Sequence, residues 1–79
     1  MKEQDIINLG FEKEYGENQA FYYYTLNIGK DRSPLSLISN ANDEAIDEDW
    51  WYVEILNYEY IKFKKRDQLR DFIHLLENL

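Results

Sequence analysis

The chain has 79 residues with no cysteine, one histidine, one proline and three glycines, and its 16 acidic against 9 basic side chains give a formal net charge of -7. A chain of this length makes one domain, 1–79, burying only about 60% of its unfolded surface, which excludes a deep cleft between two lobes; without cysteine there is no disulfide framework, thiolate zinc site or cysteine nucleophile. At 44% apolar residues in patterned runs it is too hydrophobic for a disordered tail.

Residues 2–9, KEQDIINL, predict a short amphipathic helix with Ile6, Ile7 and Leu9 on its apolar side, and Gly10 stands where a helix stops. FEKEY at 11–15 alternates apolar and charged residues, Gly16-Glu17-Asn18 reads as a turn, and Ala20 to Ile28 is an aromatic, β-branched strand, so the two runs predict a hairpin around Gly16. Gly29 to Pro34 is rich in turn residues. Leu35 to Ser39 reads as a third strand, with Leu35, Leu37 and Ser39 on one side and Ser36 and Ile38 on the other. Asn40 to Asp49 reads as an acidic loop or one irregular helical turn, WWYVEILN at 50–57 as the strongest strand, Tyr58-Glu59 as a tight turn and Tyr60–Phe63 as a short edge strand. From about Arg66 to Leu79 the spacing of Leu69, Phe72, Ile73, Leu76 and Leu79 predicts an amphipathic helix, with Asp67 in its first turn.

The expected fold is therefore α+β: an antiparallel four- to five-stranded meander, a short N-terminal helix, and a C-terminal amphipathic helix packed on the sheet. The first twenty residues hold no apolar run of signal-peptide length, and Phe21–Tyr24 falls far short of the ~20 residues of a membrane span. With no C-terminal prenylation box and no myristoylation start at Met1-Lys2, a cytoplasmic location is expected.

An aromatic surplus is the most informative feature. In 50–57, Trp51, Val53 and Ile55 point one way and Trp50, Tyr52, Glu54 and Leu56 the other. In 21–28, Tyr22, Tyr24, Leu26 and Ile28 oppose Phe21, Tyr23, Thr25 and Asn27. The first set of each strand suits the C-terminal helix, which leaves Phe21, Tyr23, Trp50 and Tyr52 on the outer face. Two expectations follow: a partner-binding surface, or a second small core covered by the N-terminal helix.

Reaction chemistry is sparse. Asp43, Glu44, Asp47, Glu48 and Asp49 invite a calcium reading, since that ion takes about six to eight oxygens, but the central glycine and closing glutamate of an EF-hand are missing. The expectation is a solvated acidic loop, or alternatively one that presses on a basic protein surface or imitates a phosphate backbone. His74 has no paired nucleophile in view, Ser33, Ser36 and Ser39 lack nucleophile-elbow glycines, and no phosphate-cradling glycine loop or dinucleotide fingerprint occurs. No catalytic residue, metal ligand or cofactor is assigned. Charge is uneven: residues 1–60 carry 4 basic and 13 acidic side chains, residues 61–79 carry 5 and 3. Lys62, Lys64, Lys65, Arg66 and Arg70 form a candidate RNA-binding patch, which sheet aromatics would complete by stacking. The glycine-flanked aromatic motif of RNA-binding sheets is missing, and the net charge repels nucleic acid.

LGFEKEY, FYYYTLNIG, LSLISNANDE and WYVEILNYEYIKFKKRDQLRDFIHLLENL together resemble a group of small uncharacterised proteins encoded by phages and mobile elements of Bacteroidota-type bacteria, with ISNANDE and WYVEI the most characteristic segments. The resemblance spans nearly the whole chain and rests on fold motifs. Where that pattern opens the last helix with a threonine and an acid, this chain has Lys64 and Lys65. The resemblance implies a phage-borne accessory protein of the anti-CRISPR kind, an inhibitor of an RNA-guided defence nuclease, with RNA-targeting effectors among the candidates. Its partner would be the effector protein, with or without its guide RNA, and Asp43, Glu44, Asp47, Glu48, Asp49, Trp50, Tyr52, Phe21 and Tyr23 are the residues expected to bind it.

Overall fold

The computed structural model describes residues 1–29 and 35–78, and of Glu59 the backbone only. The expected turn after Gly29 and the last stripe residue, Leu79, lie outside them. Helix α1 (Glu3–Asn8) is followed by β1 (Glu12–Tyr15), a short 3-10 turn at Glu17–Gln19, β2 (Tyr22–Ile28), β3 (Leu35–Ser39), β4 (Val53–Ile55), β5 (Tyr58–Phe63) and α2 (Arg66–Glu77). The five strands form one antiparallel sheet in sequence order, the expected meander at its upper strand count.

Local chemistry sets the element ends. The Asp5 carboxylate accepts the Lys2 amide at 3.0 Å at the start of α1, and Gly10 ends it at φ +95°, which costs a residue without Cβ little. Only Ile6 of the expected apolar side is fully buried; Leu9 is half-buried and Ile7 is 42% exposed. Ile7 lies about 100° around the helix from Ile6, and six residues bury only a narrow stripe. The tight turn expected at Tyr58-Glu59 forms two residues earlier, at Leu56-Asn57, because Asn57 adopts φ +72°, a conformation asparagine tolerates, and Ile55 then pairs with Tyr58. Thus β5 begins at Tyr58 and takes up the expected turn residues. Glu54 pairs with Lys62 while Ile55 pairs with Tyr58, so residues 59–61 bulge out of the ladder and Tyr60 is 99% exposed.

The core lies on one face. Tyr24, Ile28, Leu37, Trp51, Val53 and Ile55 meet Ile6 of α1 and Leu69 and Ile73 of α2, with Met1 and Phe11 at one side. Ile6, Leu37, Val53 and Leu69 have no accessible surface. Tyr22 stacks on Trp51 with centroids 6.2 Å apart, Tyr24 meets Trp51 edge-on at 5.7 Å, and Phe63 packs on Phe72 at 4.9 Å. The Tyr24 phenol donates to Glu3 at 2.6 Å, drawing α1 onto the same face as α2. Both helices therefore share one side, and the expectation that α1 covers the other side is overturned: its only fully buried residue belongs to the core that α2 covers. The Met1 ammonium donates to the carbonyls of Asp49, Trp51 and Lys64 at 2.9–3.2 Å, joining the end of the acidic loop to the end of β5.

Candidate partner-binding face

The segments ISNANDE and WYVEI are bonded to each other. Ser39 Oγ accepts the Tyr24 amide at 2.8 Å and donates to the Asn40 carbonyl. The Asn40 amide donates to the Tyr52 carbonyl, Asn40 Oδ1 accepts the Tyr52 amide at 3.0 Å, and Asn40 Nδ2 donates to the Trp50 carbonyl at 3.1 Å. Asn42 exchanges two bonds with the Tyr22 backbone, one through Oδ1. Side chains thus continue the ladder past the end of β3. They also shorten the expected 50–57 strand to Val53–Ile55: Asn40 occupies the bonds that regular pairing would give to residues 50–52.

This arrangement aims the outer face. Thr25, Ile38, Glu54 and Lys62 form one rung across it, and Tyr23 pairs with Glu14 one rung away. Among the described residues no helix lies over this rung. The four expected aromatics fall in two pairs. Phe21 and Tyr23 lie at 6.4 Å near β1, and Phe21 lies over Gly16, where any Cβ would meet its ring. Trp50 and Tyr52 stand toward β5, separated from the first pair by the end of β3. Trp50 is 54% exposed and Phe21 36%.

Trp50 and Tyr52 line a groove of about 290 Å³ with Glu44, Asp49, Trp51, Lys62 and Lys64. The Lys62 ammonium sits 4.9 Å from the Tyr52 ring centroid and 3.7 Å from Glu54. Burial raises the Tyr52 phenol pKa, and the Glu44 and Glu54 carboxylates raise it further against the opposing effect of Lys62.

The five loop carboxylates do not act as one cluster. Glu44 and Asp49 line the groove, while Glu48 turns to Lys2 at 3.5 Å on the α1 side. Glu44 Oε1 also accepts the Ala41 amide at 3.0 Å, closing the loop on itself. Asp43 and Asp47 are exposed. Among the described residues no three acidic or histidine side chains converge on a common ion position.

The basic residues are likewise divided. Lys62 and Lys64 reach the groove that Glu44 and Asp49 also line. Arg66 faces Asp5 at 3.8 Å and Asp67 at 3.4 Å, and Arg70 faces Asp67 and Asp71, each at 3.6 Å. Such exposed pairs stabilise little, yet they interrupt the run of positive charge that a phosphate backbone would follow. Lys65 starts α2 without a side-chain cap bond. His74 is exposed on α2, and Ser36 and Ser39 use their hydroxyls in bonds to Asn27 and the β3 ladder. Sequence reasoning missed Asn40 and Glu54 as site builders; the available signal was a run of small polar residues directly after an alternating strand.

No helix among the described residues is long and apolar enough to cross a membrane. Comparison with family models, curated proteins and solved structures finds no match.

Proposed function

We propose that the chain is a non-enzymatic binding protein of the host bacterial cytoplasm, an anti-CRISPR-type inhibitor that occupies a basic surface of an RNA-guided defence nuclease. One observation carries the reading: a sheet face that no helix among the described residues covers is bordered by two aromatic pairs, and the acidic loop flanks the pair at Trp50 and Tyr52. Aromatic side chains supply much of the energy at interface centres. Carboxylates around them speed approach to a basic partner, because the protein's net negative charge extends the attraction beyond contact distance. The partner class is the one that the resemblance to phage-encoded proteins would imply, and the RNA-targeting effectors are the first to test.

The test is association with a purified, guide-loaded RNA-targeting effector, measured at two salt concentrations beside its cleavage of target RNA. Changing Asp43, Glu44, Asp47, Glu48 and Asp49 to lysine is expected to lower the on-rate about tenfold or more and to flatten its salt dependence. An amide set at the same five positions, with far-UV circular dichroism as the fold check, separates lost steering from a lost loop. Unchanged on-rates in both sets would remove the steering role, and no binding with full cleavage would remove the effector as partner. Single-stranded RNA runs in parallel. A gel shift that weakens steeply with salt and vanishes when Lys62, Lys64, Lys65, Arg66 and Arg70 are neutralised would replace this reading with the RNA-associated one.

A further inference from the structure

We infer that the groove between the acidic loop and β5 receives one arginine side chain of the partner, its guanidinium stacked on the Trp50 indole and hydrogen-bonded to the Glu44 and Asp49 carboxylates. The inference rests on the binding role proposed above and names the chemistry by which the same face recognises its partner. Four observations carry it.

The groove has room for about 290 Å³, at the lower edge of the roughly 300–1,000 Å³ that enclose whole small ligands, which suits a single inserted side chain. Trp50 has a free ring surface: Phe21 and Tyr23 rest near each other and Tyr52 carries Lys62, whereas among the described residues no ring or cation lies against Trp50. Two carboxylates that line the groove retain acceptor capacity. Glu44 uses Oε1 for the Ala41 amide and keeps Oε2, and the Asp49 carboxylate has no hydrogen-bond or ion-pair partner among the described residues. Lys62, which also lines the groove, is already held against Glu54 and the Tyr52 ring, so its charge is engaged.

Arginine fits this slot better than lysine. Its planar guanidinium stacks on an indole and donates two parallel hydrogen bonds, and it is less strongly hydrated than an ammonium. An anionic occupant held by Lys62 and Lys64 is the opposite proposal, and it must displace Glu54 from Lys62.

The experiment is a nuclear magnetic resonance titration of the 79-residue chain with three probes: Nα-acetyl-arginine amide, Nα-acetyl-lysine amide and inorganic phosphate. Saturable shifts of the Trp50 indole N–H and the Tyr52 amide are expected with the arginine probe, at lower concentration than with the lysine probe. The double variant Glu44→Gln, Asp49→Asn is expected to weaken that binding about tenfold, the loss of charge-assisted hydrogen bonds. The side-chain amide introduced by Glu44→Gln retains an acceptor oxygen for the Ala41 amide, so the loop stays closed. Non-saturating shifts, equal binding by the double variant, or groove shifts at lower phosphate than arginine concentration would each overturn the assignment. The double variant is also tested on the effector. If the effector binds it as tightly as the parent chain, the arginine slot fails while the binding role stands. If the arginine probe occupies the groove but no effector binds, the slot stands and the effector proposal fails.

Discussion

Asn40 does with two side-chain atoms what a strand residue does with its backbone: Oδ1 receives the Tyr52 amide and Nδ2 serves the Trp50 carbonyl. The side chain is buried, and removing it leaves two part-buried backbone groups without their partner. Asn40→Ala is expected to cost about 1–3 kcal/mol, read from urea unfolding midpoints, and to disturb the Trp50 and Tyr52 amides first. Asn27→Ala, which loses only an exposed contact with Ser36, is the comparison and should fall within about 0.5 kcal/mol. The tyrosines give a second residue-scale expectation. Burial raises the phenol pKa values of Tyr22 and Tyr24, Glu3 adds to the rise for both, and Tyr52 is raised by burial with Glu44 and Glu54. The folded state therefore keeps phenolic protons that the unfolded chain releases near pH 10. Their contribution is complete below about pH 10 and declines as pH rises above it, since the native state then binds more protons than the unfolded one. Urea midpoints measured from about pH 8 to 11 should fall in the upper part of that range. Tyr24→Phe should lower stability by about 1 kcal/mol at about pH 8 through loss of the Glu3 bond and make the alkaline decline shallower.

At the scale of elements, α2 has a well-formed apolar stripe and a poor start. Leu69 and Ile73 are buried and Phe72 and Leu76 half-buried, as three- and four-residue spacing requires. Lys65 has the extended backbone of a cap residue, φ -119° and ψ 131°, but its side chain cannot accept from the first amides of the helix. Lys65→Thr supplies the missing oxygen and is expected to stabilise the fold by about 0.5–1 kcal/mol, seen as a higher melting temperature. Strand faces were legible because alternation is a property of each strand alone: Tyr22, Tyr24 and Ile28 went inward and Phe21 and Tyr23 outward as their order requires. Strand lengths were less legible. WWYVEILN reads as one continuous strand, yet only Val53–Ile55 join the sheet, because Asn40 from another part of the chain takes over at Tyr52 and Asn57 turns the backbone. Propensity in one segment carries no record of what a side chain in another will bond.

For the whole molecule, the decisive fact is that α1 and α2 cover the same side of the sheet. Their shared core leaves the opposite face to Tyr23, Ile38, Tyr52 and Glu54 with two exposed aromatics at its border, and the groove forms where the acidic loop meets the end of β5. The net charge of -7 acts at this scale too. Raising ionic strength from about 0.01 to 0.1 M shortens the screening length from about 30 to about 10 Å, so association with a basic partner should slow severalfold while dissociation changes less. Stopped-flow rates at the two salt concentrations measure this, and a salt-independent on-rate would count against long-range steering. The composition alone determined the absence of thiol chemistry, the sign of the protein's field and, through periodicity, which residues share a face of their own strand or helix. The tertiary structure alone decided that both helices lie on one side, that Arg66 and Arg70 face carboxylates, and that Glu44, Asp49, Trp50 and Lys64 meet around one groove. Periodicity describes one element at a time, whereas covering a face, balancing a charge and closing a groove depend on residues far apart in the chain that meet only after it has folded.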